Sequence, residues 1–194
     1  MDAVPSSSSG RLAPGSVTEV ATALRAAGGE RLARLVFAEA GLADVLEAPP
    51  VAPVEERLVL SLHRTLAESL DPVTAAHVAE EAGRRAAALA LDQRVPKPAQ
   101  WLVEALPPRL GTMWVLAGLH RHASTFTGSG RLETTLGRPV VLEITANPIA
   151  VAGCHWHRGV FGWLFRELVS RKAHVRETAC CALGAPCCRF EIVY

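Results

Sequence analysis

Four of the five cysteines in this chain lie near its C-terminus, as the adjacent pairs Cys180-Cys181 and Cys187-Cys188. The fifth, Cys154, lies upstream in the segment AGCHWHRGVFGWLF. Clustered thiols in a reducing compartment indicate metal binding or redox chemistry before structural disulfides. Zinc suits such a set, because thiolates, imidazoles and carboxylates hold it in a tetrahedron of four ligands.

Strand alternation divides the C-terminal cysteines into two couples. The intervening ALGAP contains glycine and proline and predicts a turn between two antiparallel strands. Side chains alternate between the faces of a strand, so Cys188 shares a face with the apolar Phe190. We therefore expect Cys180 and Cys188 to point into the core, and Cys181 and Cys187 to point outward.

Two further residues complete a candidate zinc site. Cys154 lies at the start of a predicted helix, where we expect a lowered thiolate pKa that favours metal binding. Glu177 is the nearest carboxylate, but residues 177 and 180 have opposite strand parity and can share a site only across a bulge or strand end. Four protein ligands leave no position for a catalytic water, so we expect a structural zinc. Inert packing of buried cysteines is the alternative, and a redox relay is disfavoured because no Cys-x-x-Cys motif is present.

The elements that position these residues fall into two halves. Apolar residues at helical spacing predict helices in the first half, with a break at Gly28-Gly29 and with Asp71 as an N-cap. These helices cover residues 17–27, 29–40, 54–69, 72–92, 99–106 and 109–126. The second half predicts strands over 131–136, 139–146, 174–181 and 187–194, and one amphipathic helix over 155–171. The order predicts an α+β fold, with a helical first half packed on a small antiparallel β-sheet.

Composition limits the classes of protein. The chain has 194 residues, is 49% hydrophobic, and carries a formal net charge of +1, which favours neither nucleic acid nor an anionic membrane surface. Residues 1–16 are rich in Ser and Pro and predict a disordered tail before one domain over 17–194, with helices to residue 126 and the sheet and zinc hairpin over 127–194. The apolar run over 110–119 is about half of the roughly 20 residues that a membrane span needs, so we expect a cytoplasmic protein.

Several motifs resemble the 4-vinyl-reductase domain family: C-HWH-GVF-LF--LV, VRETAC and CRFEI. HRHASTFTGSGRLE and TANPIA are similar to its bacteriochlorophyll-biosynthesis branch, and the resemblance runs from about residue 96 to the C-terminus. It implies a fold similar to that of vesicle-tethering subunits that enclose an acyl chain. Relatives that act as sensor modules for small aromatic effectors bind zinc through a Cys, a Glu-x-x-Cys and a last Cys. The resemblance places Cys154, Glu177, Cys180 and Cys188 at those positions, and leaves Cys181 and Cys187 outside the pattern.

The family name implies reduction of the 8-vinyl (formerly 4-vinyl) group of a tetrapyrrole. A hydride donor usually requires a glycine-rich turn between a strand and a helix, whereas TGSGRLE lacks the third glycine and leads into a strand. We therefore expect a carrier or accessory factor that binds a porphyrin or chlorophyllide intermediate and meets bacteriochlorophyll-pathway enzymes. The alternatives are a true divinyl-(proto)chlorophyllide vinyl reductase and a small aromatic ligand-sensing module. Relatives are dimers, which implies a homodimer through the early helices.

A tetrapyrrole site needs an apolar cavity with aromatic walls and a few polar groups at its rim. We select Trp114, Phe126 and Trp156 as walls, and His122 and His157 as groups that could ligate a chelated magnesium or bond a carboxylate. The segments HRH and HWH cannot act as two-histidine clamps, since residues two apart do not share a helix face. For each of these five residues, plain packing in the core is the alternative.

Overall fold

Helices dominate the chain as far as residue 127, and the main sheet follows. The structure is a computed structural model that describes residues 10–194. Its helices are α1 (Gly15–Glu39), α2 (Ala43–Glu47), α3 (Glu56–Ser69), α4 (Pro72–Arg94), α5 (Lys97–Glu104), α6 (Pro108–Arg121), α7 (Ser124–Thr127) and α8 (His155–Leu168). Its strands are β1 (Arg11–Leu12), β2 (Val54–Glu55), β3 (Arg131–Thr135), β4 (Val140–Thr145), β5 (His174–Ala179) and β6 (Cys187–Val193). The α+β class expected from the sequence is confirmed.

Local sequence signals explain some of the helix boundaries. Gly28 and Gly29 have non-helical φ/ψ and divide α1 where the sequence predicted a break. The Asp71 carboxylate caps α4 by accepting hydrogen bonds from two backbone N–H groups of its first turn. The single helix predicted over 109–126 is wrong, because His122 leaves helical geometry between α6 and α7. This break lets Phe126 pack beside Trp156, with 6.5 Å between their ring centroids.

The N-terminal segment enters the fold earlier than expected. Leu12 of β1 is fully buried, and β1 pairs with β2 in a two-stranded antiparallel sheet. The tail predicted over 1–16 is therefore wrong for residues 10–16, where burial of an apolar side chain outweighs the Ser/Pro-rich composition before it. Residues 1–9 of that prediction lie outside the described residues.

The main sheet has four antiparallel strands in the order β3-β4-β6-β5. Its inner face is apolar, since Leu142, Ile144, Phe190 and Ile192 are all buried. Adjacent strands β4 and β6 place Ile144 opposite Cys188, so this cysteine lies on the inner face as predicted.

Helices α4 and α8 cross at very short range. A Cβ atom on Gly83 would collide with the backbone carbonyl of Trp156, and one on Gly159 with that of Glu80. Glycine at both positions therefore permits backbone contact between the helices. The crossing brings Val160 of α8, which is fully buried, against Gly83 of α4. No helix among residues 10–194 has the length and apolar character to cross a membrane.

Candidate functional site

Four side chains from three segments meet at the start of α8. Cys154, Glu177, Cys180 and Cys188 each offer one ligand atom, and these atoms all lie within 4.8 Å of one another. The three cysteines are buried and Glu177 is half-buried. These are the four residues that the sequence assigned to a metal site, and such a Cys/Glu cluster could hold a metal ion.

Local backbone geometry brings these four residues together. Cys154 caps α8 in left-handed geometry (φ 32°, ψ 41°), directly after Gly153 at φ 84°. The β5–β6 register shifts between Glu177 and Ala179, which is the bulge that the opposite parity of residues 177 and 180 required. Because of that shift, the carboxylate of Glu177 and the thiol of Cys180 face the same site.

The spacing of the donor atoms fits tetrahedral zinc. The Sγ atom of Cys154 lies 3.5 Å from that of Cys188 and 3.8 Å from that of Cys180. Zn–S bonds of about 2.3 Å in a tetrahedron place neighbouring sulfurs about 3.8 Å apart. In addition, Oε1 of Glu177 is buried and has no hydrogen-bond partner among the described residues. A cation in the cluster would satisfy that oxygen.

Without a cation the cluster protonates unevenly. Cys154 donates its S–H to Cys188, and this bond together with burial raises the pKa of Cys154 far above its usual range. The same bond lowers the pKa of Cys188, with help from the backbone N–H of Cys181. Burial raises the pKa of the Glu177 carboxyl. The lowered pKa expected for Cys154 at a helix N-terminus is therefore wrong for the metal-free cluster, since its neighbours and burial outweigh the helix dipole.

Asn147 is a part of the cluster that the sequence did not predict. Its Nδ2 donates to the Sγ of Cys188 at 3.3 Å and approaches the Sγ of Cys154 at 3.9 Å. Its Oδ1 accepts from the backbone N–H of Ile149, which fixes the amide. Donors to ligand sulfurs orient a metal site and tune its charge. The available sequence signal was the Asn-Pro dipeptide directly after the strand predicted over 139–146.

The second cysteine couple stays outside the cluster. Cys187 is half-buried, and its Sγ lies 3.7 Å from Oε1 of Glu143 on the other face of the sheet. Cys181 is not in a strand opposite Cys187, because a 3-10 turn runs over Cys181–Leu183. Its backbone N–H nevertheless supports the cluster through the bond to Cys188.

Three of the five expected ligand contacts line one apolar cleft between α4, α6 and α8. These are Trp114, His122 and Phe126. The other walls are apolar, from Ala87 on α4 to Leu168 on α8, whereas Arg94 adds a cation that the sequence did not single out. The arginine bonds only Ala90 O and Thr125 Oγ1 and has no carboxylate within 4 Å among the described residues. Burial lowers the pKa of His122 and so favours its neutral form, with the nearby arginines acting in the same direction.

The other two expected contacts lie elsewhere. Trp156 and His157 are buried and line a cavity of about 220 Å³ between α3, α4 and the start of α8. Trp156 also lines a cavity of about 130 Å³ that it shares with Phe126 and Arg94. The Nε2 atom of His157 lies 3.0 Å from the carbonyl oxygen of Phe126, which links α8 to α7. Burial lowers the pKa of His157 to about 3 and that of the adjacent His63 to about 4, so both imidazoles are neutral.

The cleft is narrow in this conformation. The space between its walls is about 60 Å³, whereas small-molecule sites usually measure roughly 300–1,000 Å³. A tetrapyrrole would enter only if α6 moved away from α4 and α8.

The glycine-rich turn is occupied by a carboxylate from the chain itself. Glu56 at the start of α3 accepts hydrogen bonds from the backbone N–H and the hydroxyl of Ser129, at 2.9 and 3.0 Å. The turn joins α7 to β3 and so precedes a strand. A turn that binds a dinucleotide phosphate leads from a strand into a helix, whereas this one leads into a strand and already binds a carboxylate of the chain.

Comparison with known proteins gives the family. The model of the V4R domain matches residues 148–194, which contain all four cluster residues. The bacteriochlorophyll synthase 23 kDa chain of Cereibacter sphaeroides is 39% identical over 190 residues, which cover 94% of this chain and 90% of that protein. The protein of the same name from Rhodobacter capsulatus is 36% identical over 103 residues, covering 50% of this chain and 48% of that protein. The chain belongs to the V4R domain family, alongside these 23 kDa chains.

Solved structures with the same fold are H-NOX proteins. A mutant of the H-NOX protein from K. algicida, in its unliganded Fe(II) form, aligns with a TM-score of 0.62 and covers 94% of this chain and 96% of that chain. A mutant of the T. tengcongensis H-NOX aligns with a TM-score of 0.56 and covers 91% and 92%. Sequence identity is 11% in both cases, so the similarity concerns the fold.

Proposed function

We propose that this protein takes part in bacteriochlorophyll biosynthesis as a carrier or accessory factor that binds a tetrapyrrole intermediate for 8-vinyl reduction. The observation that carries the proposal is the cleft on which Trp114, His122 and Phe126 converge. The relative from Cereibacter sphaeroides, which is named as a chain of bacteriochlorophyll synthase, supports the pathway. One of the H-NOX structures with this fold probes heme distortion, and heme is a tetrapyrrole.

The chemistry of the cleft suits such a ligand. Aromatic and aliphatic walls take the flat macrocycle, and the neutral imidazole of His122 can ligate a chelated magnesium. Arg94 can pair with a carboxylate at the macrocycle edge, because no carboxylate of the described residues engages it.

The proposal assigns zinc a structural role. With Cys154, Glu177, Cys180 and Cys188 as ligands, zinc would supply a fixed link between the start of α8 and the β5–β6 hairpin. The assembly proposed with this function is a homodimer that meets pathway enzymes.

A titration tests the carrier function. A divinyl magnesium-porphyrin is added to the purified protein with and without NADPH, and the absorbance spectrum is followed. We expect a shift of the pigment bands without conversion. Conversion to the monovinyl form that depends on NADPH would contradict a carrier and identify a reductase. An unchanged spectrum would contradict both functions.

Two histidines near the end of α6 offer a matched pair of variants for the same titration. His122→Gln removes the imidazole from the cleft and should weaken pigment binding by about tenfold, as loss of one polar anchor does. His120→Gln is the control, because His120 is exposed and bonds Thr134 outside the cleft. Equal affinities in the two variants would place the pigment elsewhere.

A further inference from the structure

A second cleft, lined mainly by charged residues, lies between α4, α8 and β5. We call it the polar cleft. Its volume is about 300 Å³, which is at the lower end of the roughly 300–1,000 Å³ that small-molecule sites usually measure. No residue lines both the polar cleft and the apolar cleft. An inference about the polar cleft therefore does not depend on the pigment function.

Helical spacing brings the charged residues of the polar cleft together. Glu80 and Arg84 lie four residues apart on α4, and Arg158, Gly162 and Arg166 follow one another at the same interval on α8. Residues four apart share one face of a helix. Because α4 and α8 cross in backbone contact, these two faces border the same space, and Gly162 leaves room in it for the side chains around it.

Arg166 is the cation of the polar cleft that lacks a carboxylate partner. Its guanidinium lies beside Gly162, since a Cβ atom added there would be 3.4 Å from Nη2 of Arg166. Among residues 10–194, no carboxylate lies within 4 Å of this guanidinium. The exposed Glu167, which follows it in the chain, does not line the cleft.

Arg158 has hydrogen-bonding capacity that the chain does not use. Its Nη2 pairs with Oε1 of Glu80 at 3.0 Å, and its Nη1 lies 3.2 Å from Nδ1 of His155. Its Nε is buried and has no hydrogen-bond partner among the described residues. The hydrogen bond from His155, together with the charges of Arg158 and Arg166, keeps the pKa of the Glu80 carboxyl below its usual range. Both guanidinium groups therefore lie near one carboxylate.

The charge balance of the polar cleft is positive. Three arginines line it against two glutamates. One of these glutamates, Glu81, is already shared by Arg84 and Arg85, at 2.6 and 2.7 Å. The exposed His77 and His174 add imidazole N–H groups. An ion-pair network with a purely structural role would not need the additional guanidinium, so the excess of donors and positive charge indicates an anionic ligand.

We propose that the polar cleft binds the phosphate group of a small soluble ligand, held mainly by Arg166 and Arg158. Guanidinium groups donate in a planar fork that matches phosphate oxygens. A phosphate group has three strong acceptor oxygens and more negative charge than a carboxylate, so it suits two guanidinium groups and two imidazoles. Because Glu80 competes for Arg158, we expect a dissociation constant between about 0.1 and 1 mM.

Equilibrium dialysis tests the proposal. The full chain is dialysed against radiolabelled inorganic phosphate, and the bound phosphate is measured at increasing concentration. We expect saturable binding of about one phosphate per chain, which high salt weakens because it screens the arginines. Acetate is the carboxylate probe, and it should compete about tenfold less well than unlabelled phosphate.

Three variants locate the phosphate in the polar cleft. Arg166→Gln removes the unpaired guanidinium and should weaken phosphate binding by about tenfold. Arg171→Gln is the matched control, because Arg171 is exposed just beyond α8 and does not line the cleft. Glu80→Gln should strengthen binding by about threefold, because it removes the carboxylate that competes for Arg158.

The outcomes that contradict the proposal are distinct. Absence of saturable binding overturns it, as does binding that Arg166→Gln leaves unchanged or that Arg171→Gln reduces equally. Acetate that competes as well as phosphate would overturn phosphate as the ligand group. Unchanged or weaker binding by Glu80→Gln would overturn the part assigned to Arg158.

Discussion

At the residue scale, adjacent cysteines have opposite environments. Cys188 is fully buried in the cluster and accepts hydrogen bonds from Asn147 and from the backbone of Cys181. Cys187 lies on the other face of β6, near Glu143. A candidate metal ligand and a half-buried thiol on the opposite face of β6 are therefore adjacent in the chain.

Substitution of serine for Cys188 and for Cys187 should affect zinc binding and stability unequally. Cys188→Ser should lose the zinc and lower the free energy of unfolding by about 3 kcal/mol or more, because a structural metal contributes folding free energy directly. Cys187→Ser should keep the zinc and leave the free energy of unfolding unchanged. Metal analysis and chemical denaturation measure the two quantities. Loss of zinc from Cys187→Ser alone would contradict the assignment of faces.

The amide of Asn147 should affect zinc retention more than stability. Asn147→Ala removes the donor to Cys188, and loss of such a supporting bond typically weakens metal affinity about 10- to 100-fold. Competition with a chromogenic chelator measures this affinity. Thr145→Ala is the control, because Thr145 is exposed at the end of β4, two residues before Asn147. Affinities that do not differ would show that the amide only shapes the turn.

The burial of His63 predicts that the folded state becomes less stable in acid. Burial lowers its pKa in the folded state to about 4, against 6.5 when unfolded. As the pH falls from 6.5 to 4, the unfolded chain takes up a proton that the folded chain does not, so stability decreases with falling pH. The loss is at most about 3 kcal/mol. His63→Leu should reduce the pH dependence of the unfolding free energy in this window to the part that His157 contributes, and an unaltered slope would contradict the assignment.

At the element scale, short local irregularities create the site. The β5–β6 bulge turns Glu177 toward Cys180, and the left-handed cap at Cys154 starts α8 at the cluster. The break after Arg121 brings Phe126 to the cleft instead of extending α6. Regular strands and helices alone would separate these residues.

The α4–α8 crossing gives the element-scale prediction. Gly83→Ala should destabilise the fold by about 2 kcal/mol, because its Cβ would meet the Trp156 carbonyl and force the helices apart. Gly118→Ala is the control, since an added Cβ there meets nothing within 4 Å and should stabilise α6 by about 0.5–1 kcal/mol. Thermal and denaturant unfolding measure the stability of the two variants. Equal effects would show that the α4–α8 crossing tolerates a methyl group.

At the scale of the whole molecule, α8 connects the cluster to the cleft. Its N-cap is Cys154, and its later residues Leu164 and Leu168 line the cleft. A fixed N-terminal end therefore helps to set the position of the cleft wall.

Removal of the zinc proposed for the cluster should consequently weaken pigment binding. Dialysis against a chelator frees the start of α8, so the cleft wall can shift, and we expect affinity for the magnesium-porphyrin to fall by about tenfold or less. Titration before and after chelation measures the change, and zinc restored to the dialysed protein should reverse it. An affinity that chelation leaves unchanged would show that the two ends of α8 act independently.

The net charge of the whole chain does not describe the charge of particular parts of its surface. The net charge of +1 gave no reason to expect an anionic partner. The fold nevertheless leaves Arg94, Arg109 and Arg121 without carboxylate partners within 4 Å among the described residues. Composition sums charges, whereas binding depends on which of them neighbouring residues neutralise.

The sequence by itself determined the features that follow from local periodicity. It predicted the α+β order, the cap at Asp71, the break at Gly28-Gly29 and the inward face of Cys188, because 3.6-residue and two-residue repeats fix which side chains share a face. Strand parity also required a bulge or a strand end between Glu177 and Cys180 if the two were to share a site. The candidate cluster could therefore be predicted almost entirely.

Only the tertiary structure decided the remaining features. It distributed the five aromatic and histidine candidates over three cavities, and it placed Asn147 against the sulfur of Cys188. It also set Arg94 at the cleft, away from the carboxylates of the described residues. These properties depend on contacts between residues far apart in the chain, and the packing angles that create such contacts leave no repeat in the sequence.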